Sequence, residues 1–464
     1  MPVIDMTNFL HTYFGSRTFY KKVFALAIPV MLQGFMTQFV SLLDNVMVGQ
    51  LGPLPIASVS ITNQILFILN LSIFGAISGA EIFGAQFFGK GDYEKQAQTF
   101  WMKVCFAGAL GLAAILLLST AGSNIISLWL HDTPQNTAAT LSYALTYMSI
   151  MFAGIPFYCL TQAMVSTLKE CRRTIICMES AILALVVNLA GDYALIFGHF
   201  GLPALGVAGA AIATVLARMV ECLFVLIWIR NHKKQLPVFT GIFSHMRIPA
   251  TLAKTIILKS LPLMINETLW SGTIAFFSGC YSTRGLAVVS ALAIVDVVTQ
   301  LFRTAYISVG SAIAIILGNT LGTGNADLAI SESRKLLVLS ILIALVTMVL
   351  SAASAPAFAA LYNVPADIRQ LAVQLIYITA ALSPISAISN AAYFIIRSGG
   401  NTLLTFMLDG GISLAVGCPV VWMLCYLTDW NIFVVYLFSQ CYNIVKTVPE
   451  LITVHRNKWA RNLT

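Results

Sequence analysis

IASVSITNQILFILNLSIFGAISGAEIFGAQFFGKGD, residues 56–92, is the stretch whose reading decides the fold. Residues 56–88 are an apolar run broken by one charge, Glu81. A run of 18 or more such residues reads as a helix that crosses a bilayer. It closes on a polar turn, Gln86-x-x-Gly89-x-Gly91-Asp92, and the pattern returns 233 residues later as Asn319-x-x-Gly322-x-Gly324-Asn325. The same offset pairs Pro29 with Pro262, Gln33 with Asn266 and Gly52 with Gly285. Lys169 and Thr174 match Arg397 and Thr402 at a slightly shorter one. The chain is therefore a duplication.

Of the 464 residues, 58% are hydrophobic and 9% are charged. A soluble domain carries about 25% charged residues, so this chain cannot cover a water-facing surface. Soluble enzymes, nucleic-acid modules and disordered hubs are excluded. The net charge of +8 reflects Lys and Arg retained in cytoplasmic loops. The nine cysteines are scattered, contain no C-x-x-C and imply neither a disulfide framework nor a metal site. Residues 1–22 end in Arg17, Lys21 and Lys22 with no small-residue cleavage site, and read as a retained cytoplasmic lead-in.

Spans of about 20 residues fall near 23–48, 56–88, 99–120, 138–167, 174–197 and 207–229, then 254–282, 286–316, 335–355, 371–395, 402–427 and 432–453. The expected fold is an all-α polytopic membrane protein of about twelve transmembrane helices. Its domains are a cytoplasmic segment 1–22, a six-helix lobe 23–229, a basic cytoplasmic linker 230–253, a second six-helix lobe 254–453 and a cytoplasmic tail 454–464. With an even number of spans per half, the repeats run parallel, the arrangement of two-lobed transporters with a central cavity. Basic residues collect on one side: Lys90, Lys95 and Lys103, Lys169, Arg172 and Arg173, the cluster Arg230–Lys259, then Arg334 and Lys335. The outer loops hold only Arg284 and Arg369. Both termini are expected in the cytoplasm, in a plasma (inner) membrane.

Asp44, Glu81, Glu179, Asp192, Glu221, Glu267, Asp296 and Asp409 are acids that fall inside spans. Of the arginines, only Arg218 and Arg303 oppose them there. A charge at mid-membrane costs about 2.5–3.5 kcal/mol on insertion scales, so the excess marks an interior that attracts cations or protons. Asp44 and Asp192 each lie about six residues before an outer turn, roughly 9 Å below the outer surface. Asn188 shares a helix face with Asp192 at i−4, and Thr214 reaches a similar depth on the next span. Two carboxylates, an amide oxygen and a hydroxyl on three helices suit sodium or a shared proton; they would equally make a buried network tying the helices together. Glu81, Glu179 and Glu221 lie near inner helix ends, where snorkelling or structural pairing is expected. In the second half, Glu267 is the candidate for proton or cationic-substrate contact. Asp296 shares a stripe with Gln300 and Arg303, and Asp409 sits nearer the inner side. Pro29, Pro156, Pro262, Pro384 and Pro419 should bend their helices.

Gly84-x-x-x-x-Gly89-Lys90 has the spacing of a phosphate loop, but Gly91 stands where Ser or Thr should hold magnesium and no strand precedes it. No H-E-x-x-H, G-x-S-x-G or G-x-G-x-x-G occurs. The chain is expected to be no enzyme and to need no cofactor; an ion gradient, worth about 2.3 kcal/mol per charge per 100 mV, must drive it.

Several segments resemble the multidrug and toxic compound extrusion (MATE) family, specifically its prokaryotic branch, over almost the whole chain. They are Pro29–Gln64 with Asp44, Gly49, Gly52 and Ala57; Gln86–Asp92; Asn188-x-x-x-Asp192; Gly201–Gly206; Gly209–Thr214; Gly318–Gly324; and Arg397–Thr402. Asn401 stands where many members have Asp. The resemblance implies alternating access and export of cationic or amphipathic compounds against sodium or protons. It implies that Asp44, Asn188, Asp192 and Thr214 form the first-lobe ion and proton site, and that Glu267 matches an acid some members use in the second. Expected partners are small cationic or amphipathic substrates and the lipid bilayer, with no nucleic acid; the chain is expected to be a monomer. The rival readings are a lipid-linked precursor flippase of the same superfamily and, further off, a membrane-embedded enzyme.

Overall fold

A backbone in hydrocarbon must satisfy its own N–H and C=O groups, which restricts spanning segments here to helices. The computed structural model describes residues 12–128, 130, 134–362 and 364–464; residues 1–11 of the N-terminal segment lie outside them. In the first half the helices are α1 (Arg17–Gly49), α2 (Pro53–Lys90), α3 (Tyr93–Ser127), α4 (Pro134–Phe152), α5 (Ile155–Glu170), α6 (Thr174–Phe197) and α7 (Val207–His232). Three short 3₁₀ turns between Lys233 and His245 follow. The second half holds α8 (Ala250–Ser282), α9 (Leu286–Gly322), α10 (Ala326–Ala360), α11 (Ala366–Ser398), α12 (Thr402–Tyr426), α13 (Ile432–Gln440) and α14 (Tyr442–His455). The architecture is the all-α, two-lobe, twelve-span fold.

Ten of these spans are long and apolar enough to cross by composition alone, if α4 and α5 count as one. That pair is bent by 50°, where Gly154 and Pro156 interrupt the expected continuous run 138–167. Helix α8 is long enough at 33 residues, but Asn266, Glu267 and Thr268 dilute its apolar run at mid-length. The last expected span, 432–453, is two helices meeting at Cys441. Helix α12 is irregular in another way: it contains two successive π turns, Met407–Gly411, which includes Asp409, and Ser413–Gly417. Single π turns often sit at functional positions.

The sequence repeat is also a repeat of conformation. The turn after α2 is made by Gly91 at φ +81°, and the turn after α9 by Gly324 at φ +84°. L side chains rarely adopt that region. The residue after each glycine caps the next helix: Asp92 accepts from the Lys95 N–H at 3.1 Å, and Asn325 from the Leu328 N–H at 2.9 Å. The side-chain oxygen satisfies a donor that the first helical turn leaves open. At the opposite end, Gly52 and Gly285 match at φ +117° and +107°.

The chain divides into two compact units: Leu32–Gly84 with Asp92–Ser260, and the residues up to Met31 with Ala85–Gly91 and Leu261–Thr464. The divisions inside α1 and α8 fall beside Pro29 and Pro262. The first unit is packed around Val48, Val59, Leu66, Tyr147, Met151, Ile196 and Val207. The other is packed around Ile313, Leu317, Leu336, Ile395 and Trp459, and around Val295, Leu375 and Val421.

Candidate functional site

Helices α6 and α7 approach closely because small residues line their contact. Gly209 lies against the backbone carbonyl of Leu195, and Gly191 against Ala213. This places Asn188 and Asp192 of α6 opposite Thr214 of α7. The Asn188 amide points its Nδ2 at the Thr214 hydroxyl, 3.5 Å away, while Thr214 Oγ1 donates to the Ala210 carbonyl at 3.0 Å. Asp44, from α1, reaches both Asp192 and the Asn188 side chain. Asp192 is fully buried, and Asp44 and Asn188 are nearly so. The four residues expected at one level are thus brought together.

Among the described residues, Asp44 Oδ1 and both carboxylate oxygens of Asp192 are buried with no donor. Acids that face each other supply acceptors only, and a buried polar atom without a partner costs about 1–3 kcal/mol, more when charged. The missing element is a positive one: a proton shared between the carboxyls, or a small cation with oxygen preference. The residues fit either.

Other residues around the site come from segments whose spacing does not mark them. Tyr147 of α4 is buried beside Asp44, Asp192 and Thr214, and its hydroxyl donates to Asn63 Oδ1 of α2 at 3.3 Å. Arg218, one turn along α7 from Thr214, acts electrostatically on Asp44 and stacks over the Tyr158 ring at 5.0 Å. Further along the same unit, Lys103 of α3 and Glu170 of α5 form an ion pair with both side chains fully buried. Lys103 also donates to Thr167 at 3.0 Å, and Gln96 donates to Glu170 at 3.3 Å.

The second-half acids are differently placed. Glu267 accepts from the Tyr393 hydroxyl at 2.9 Å. Its neighbour Asn266 donates to Asp409 Oδ2 at 2.9 Å, and Lys446 of α14 donates to Asp409 Oδ1 at 2.7 Å. Glu267 and Asp409 act on one another electrostatically, and Asp409 already holds a cation. Asp296 is exposed. Arg303, its partner on the helix stripe, lies over the Trp270 ring at 4.5 Å while still acting electrostatically on Asp296.

Spanning helices in two repeated halves, with acids buried among the helices of one unit, define a multi-pass membrane transporter. The MatE family model matches residues 29–194 and 262–423, and the chain belongs to the MatE family. Solved MATE structures are similar over nearly their full length. An aspartate-to-asparagine variant of the Vibrio cholerae MATE transporter VcmN is 17% identical, with a TM-score of 0.84 over 96% of this chain and 98% of that one. A MATE transporter in complex with MaL6 is 16% identical, with a TM-score of 0.83 over 97% and 98%. An outward-facing multidrug resistance MATE family transporter of the MOP superfamily is 17% identical, with a TM-score of 0.82 over 94% and 96%.

Proposed function

We propose that this efflux transporter is a secondary antiporter that exports cationic or amphipathic compounds in exchange for sodium or protons. The observation that carries the reading is the set of donorless buried oxygens on Asp44 and Asp192. Of the two carboxylates, Asp44 feels one nearby guanidinium, that of Arg218, which leaves room for one further positive charge. An entering sodium ion or proton supplies it, with Asn188 and Thr214 completing the shell. Loading from outside stabilises one arrangement of the carrier and unloading to the cytoplasm the other; coupling follows from the difference in affinity between the two states. Asp409 is compensated by Lys446, so the second half does not offer an equivalent opening there. The carrier works in a plasma (inner) membrane as a monomer, with its basic ends in the cytoplasm.

Everted vesicles given a fluorescent organic cation in the bath, under separately imposed sodium and pH gradients, test this. The native chain moves the cation only when one of the gradients is present, and Asp44→Asn abolishes the response at unchanged expression. Gradient-driven movement that survives in Asp44→Asn would refute the assignment.

A further inference from the structure

The last turn of α2 is held by a segment of chain nearly 380 residues away. Gln86 is fully buried. Its Nε2 donates to the Ser398 carbonyl at 3.1 Å and to the Arg461 carbonyl at 3.2 Å, and its Oε1 accepts from the Leu463 N–H at 2.7 Å. Both amide donors and the amide acceptor are thus engaged. The segment that supplies two of these bonds turns away from α14 at Asn457, φ +56°. It buries Trp459 completely in the cluster formed by Val454, Ile395 and Ile396. Gly399 and Gly400, just past the end of α11, lie so close to the Trp459 carbonyl and the Leu463 side chain that a Cβ at either would collide.

Under this segment, α2 and α9 cross backbone to backbone. Gly89 lies against the Asn319 carbonyl and Gly322 against the Gln86 carbonyl, so each copy of the repeated motif seats on the other. Helix α2 is about 57 Å long, against a hydrocarbon core of about 30 Å, and this crossing lies at its basic end, beside Lys90.

We propose that residues 457–464 form a latch that fastens the basic end of α2 to α11 and so keeps α2 and α9 crossed, and that it releases Gln86 whenever the carrier opens toward the cytoplasm. The second part rests on the antiporter reading and its orientation. Three hydrogen bonds on one side chain can be undone together, while Trp459 anchors the segment for re-engagement. Such a two-state contact is what a gate requires.

The test places spin labels, by chemistry that spares the nine native cysteines, at Lys90 and Thr323, both exposed beside the two turns. Interlabel distances are measured in the absence of substrate and gradient. The native chain gives one short, narrow distribution. Gln86→Ala adds a longer population at least several-fold above background, and so does a chain stopped after Ala460, which keeps Trp459 but loses the Arg461 and Leu463 contacts. An unchanged distribution in the shortened chain overturns the latch, even if Gln86→Ala broadens, because the effect would then belong to α2 packing. Efflux is scored separately: a chain that shows the latch but no gradient-driven efflux keeps the latch and loses the antiporter reading.

Discussion

Removing the ammonium of Lys103 while leaving Glu170 in place should be among the most damaging single changes in the first unit. Both side chains are 0% exposed, so Lys103→Met leaves a buried carboxylate that keeps the Gln96 amide donor but has lost its counter-charge. Breaking a buried pair from one side costs about 3–5 kcal/mol, whereas replacing both charges by uncharged groups of similar volume is often neutral. The expected order of thermal stability in detergent is therefore native, then the double variant Lys103→Met/Glu170→Gln close behind, then Lys103→Met well below both. Melting curves from tryptophan fluorescence, with monodispersity checked by size exclusion, give the comparison. If Lys103→Met melts with the double variant, the carboxylate does not depend on the lysine and the reasoning fails. A loss of stability in the double variant as large as in the single would show that packing, not charge, fills that place.

Gly209→Val forces a side chain into the Leu195 backbone and should cost about 1–3 kcal/mol; it should also separate Thr214 from Asn188, read as lost cation response in the vesicle assay. Lys446→Met should destabilise by about 3–5 kcal/mol because Asp409 loses its cation, with Lys446→Met/Asp409→Asn recovering most of it in a melting experiment. Tyr393→Phe removes the hydroxyl that donates to Glu267 and should cost about 1–3 kcal/mol; a variant as stable as the native chain would show that this hydroxyl is dispensable. Thr214→Val keeps the shape of the side chain but not its oxygen, and should weaken gradient-driven efflux with little change in melting temperature.

Periodicity along one chain made the spans and the duplication legible, because hydrophobic length and turn glycines are local signals. It also placed Asp44, Asn188, Asp192 and Thr214 at one depth, since rise per residue is fixed within a helix. What it could not supply was rotation of one helix against another. Tyr147 and Asn63 approach the carboxylates from α4 and α2, and Lys103 meets Glu170 across 67 residues of sequence; nothing in their own segments distinguishes them from core or loop residues. Lys103 in particular reads as one more basic residue on the inner side, yet it is fully buried. The stripe Asp296–Arg303 shows the same gap: helical spacing put the two on one face, but the flat guanidinium found the Trp270 ring on α8, a neighbour that spacing cannot name. The bend at Gly154 was signalled by Pro156, whereas Pro29 and Pro262 lie inside helices that run on unbroken.

Because Gly91 and Gly324 share a φ within a few degrees, the molecule carries its own control experiment. Alanine at either glycine meets the same local strain, about 1–2 kcal/mol, and neither has a neighbour within 4 Å to crowd it. Any disparity in efflux between the two alanine versions then measures how unequally the halves share the work, with the folding contribution cancelled by the duplication itself.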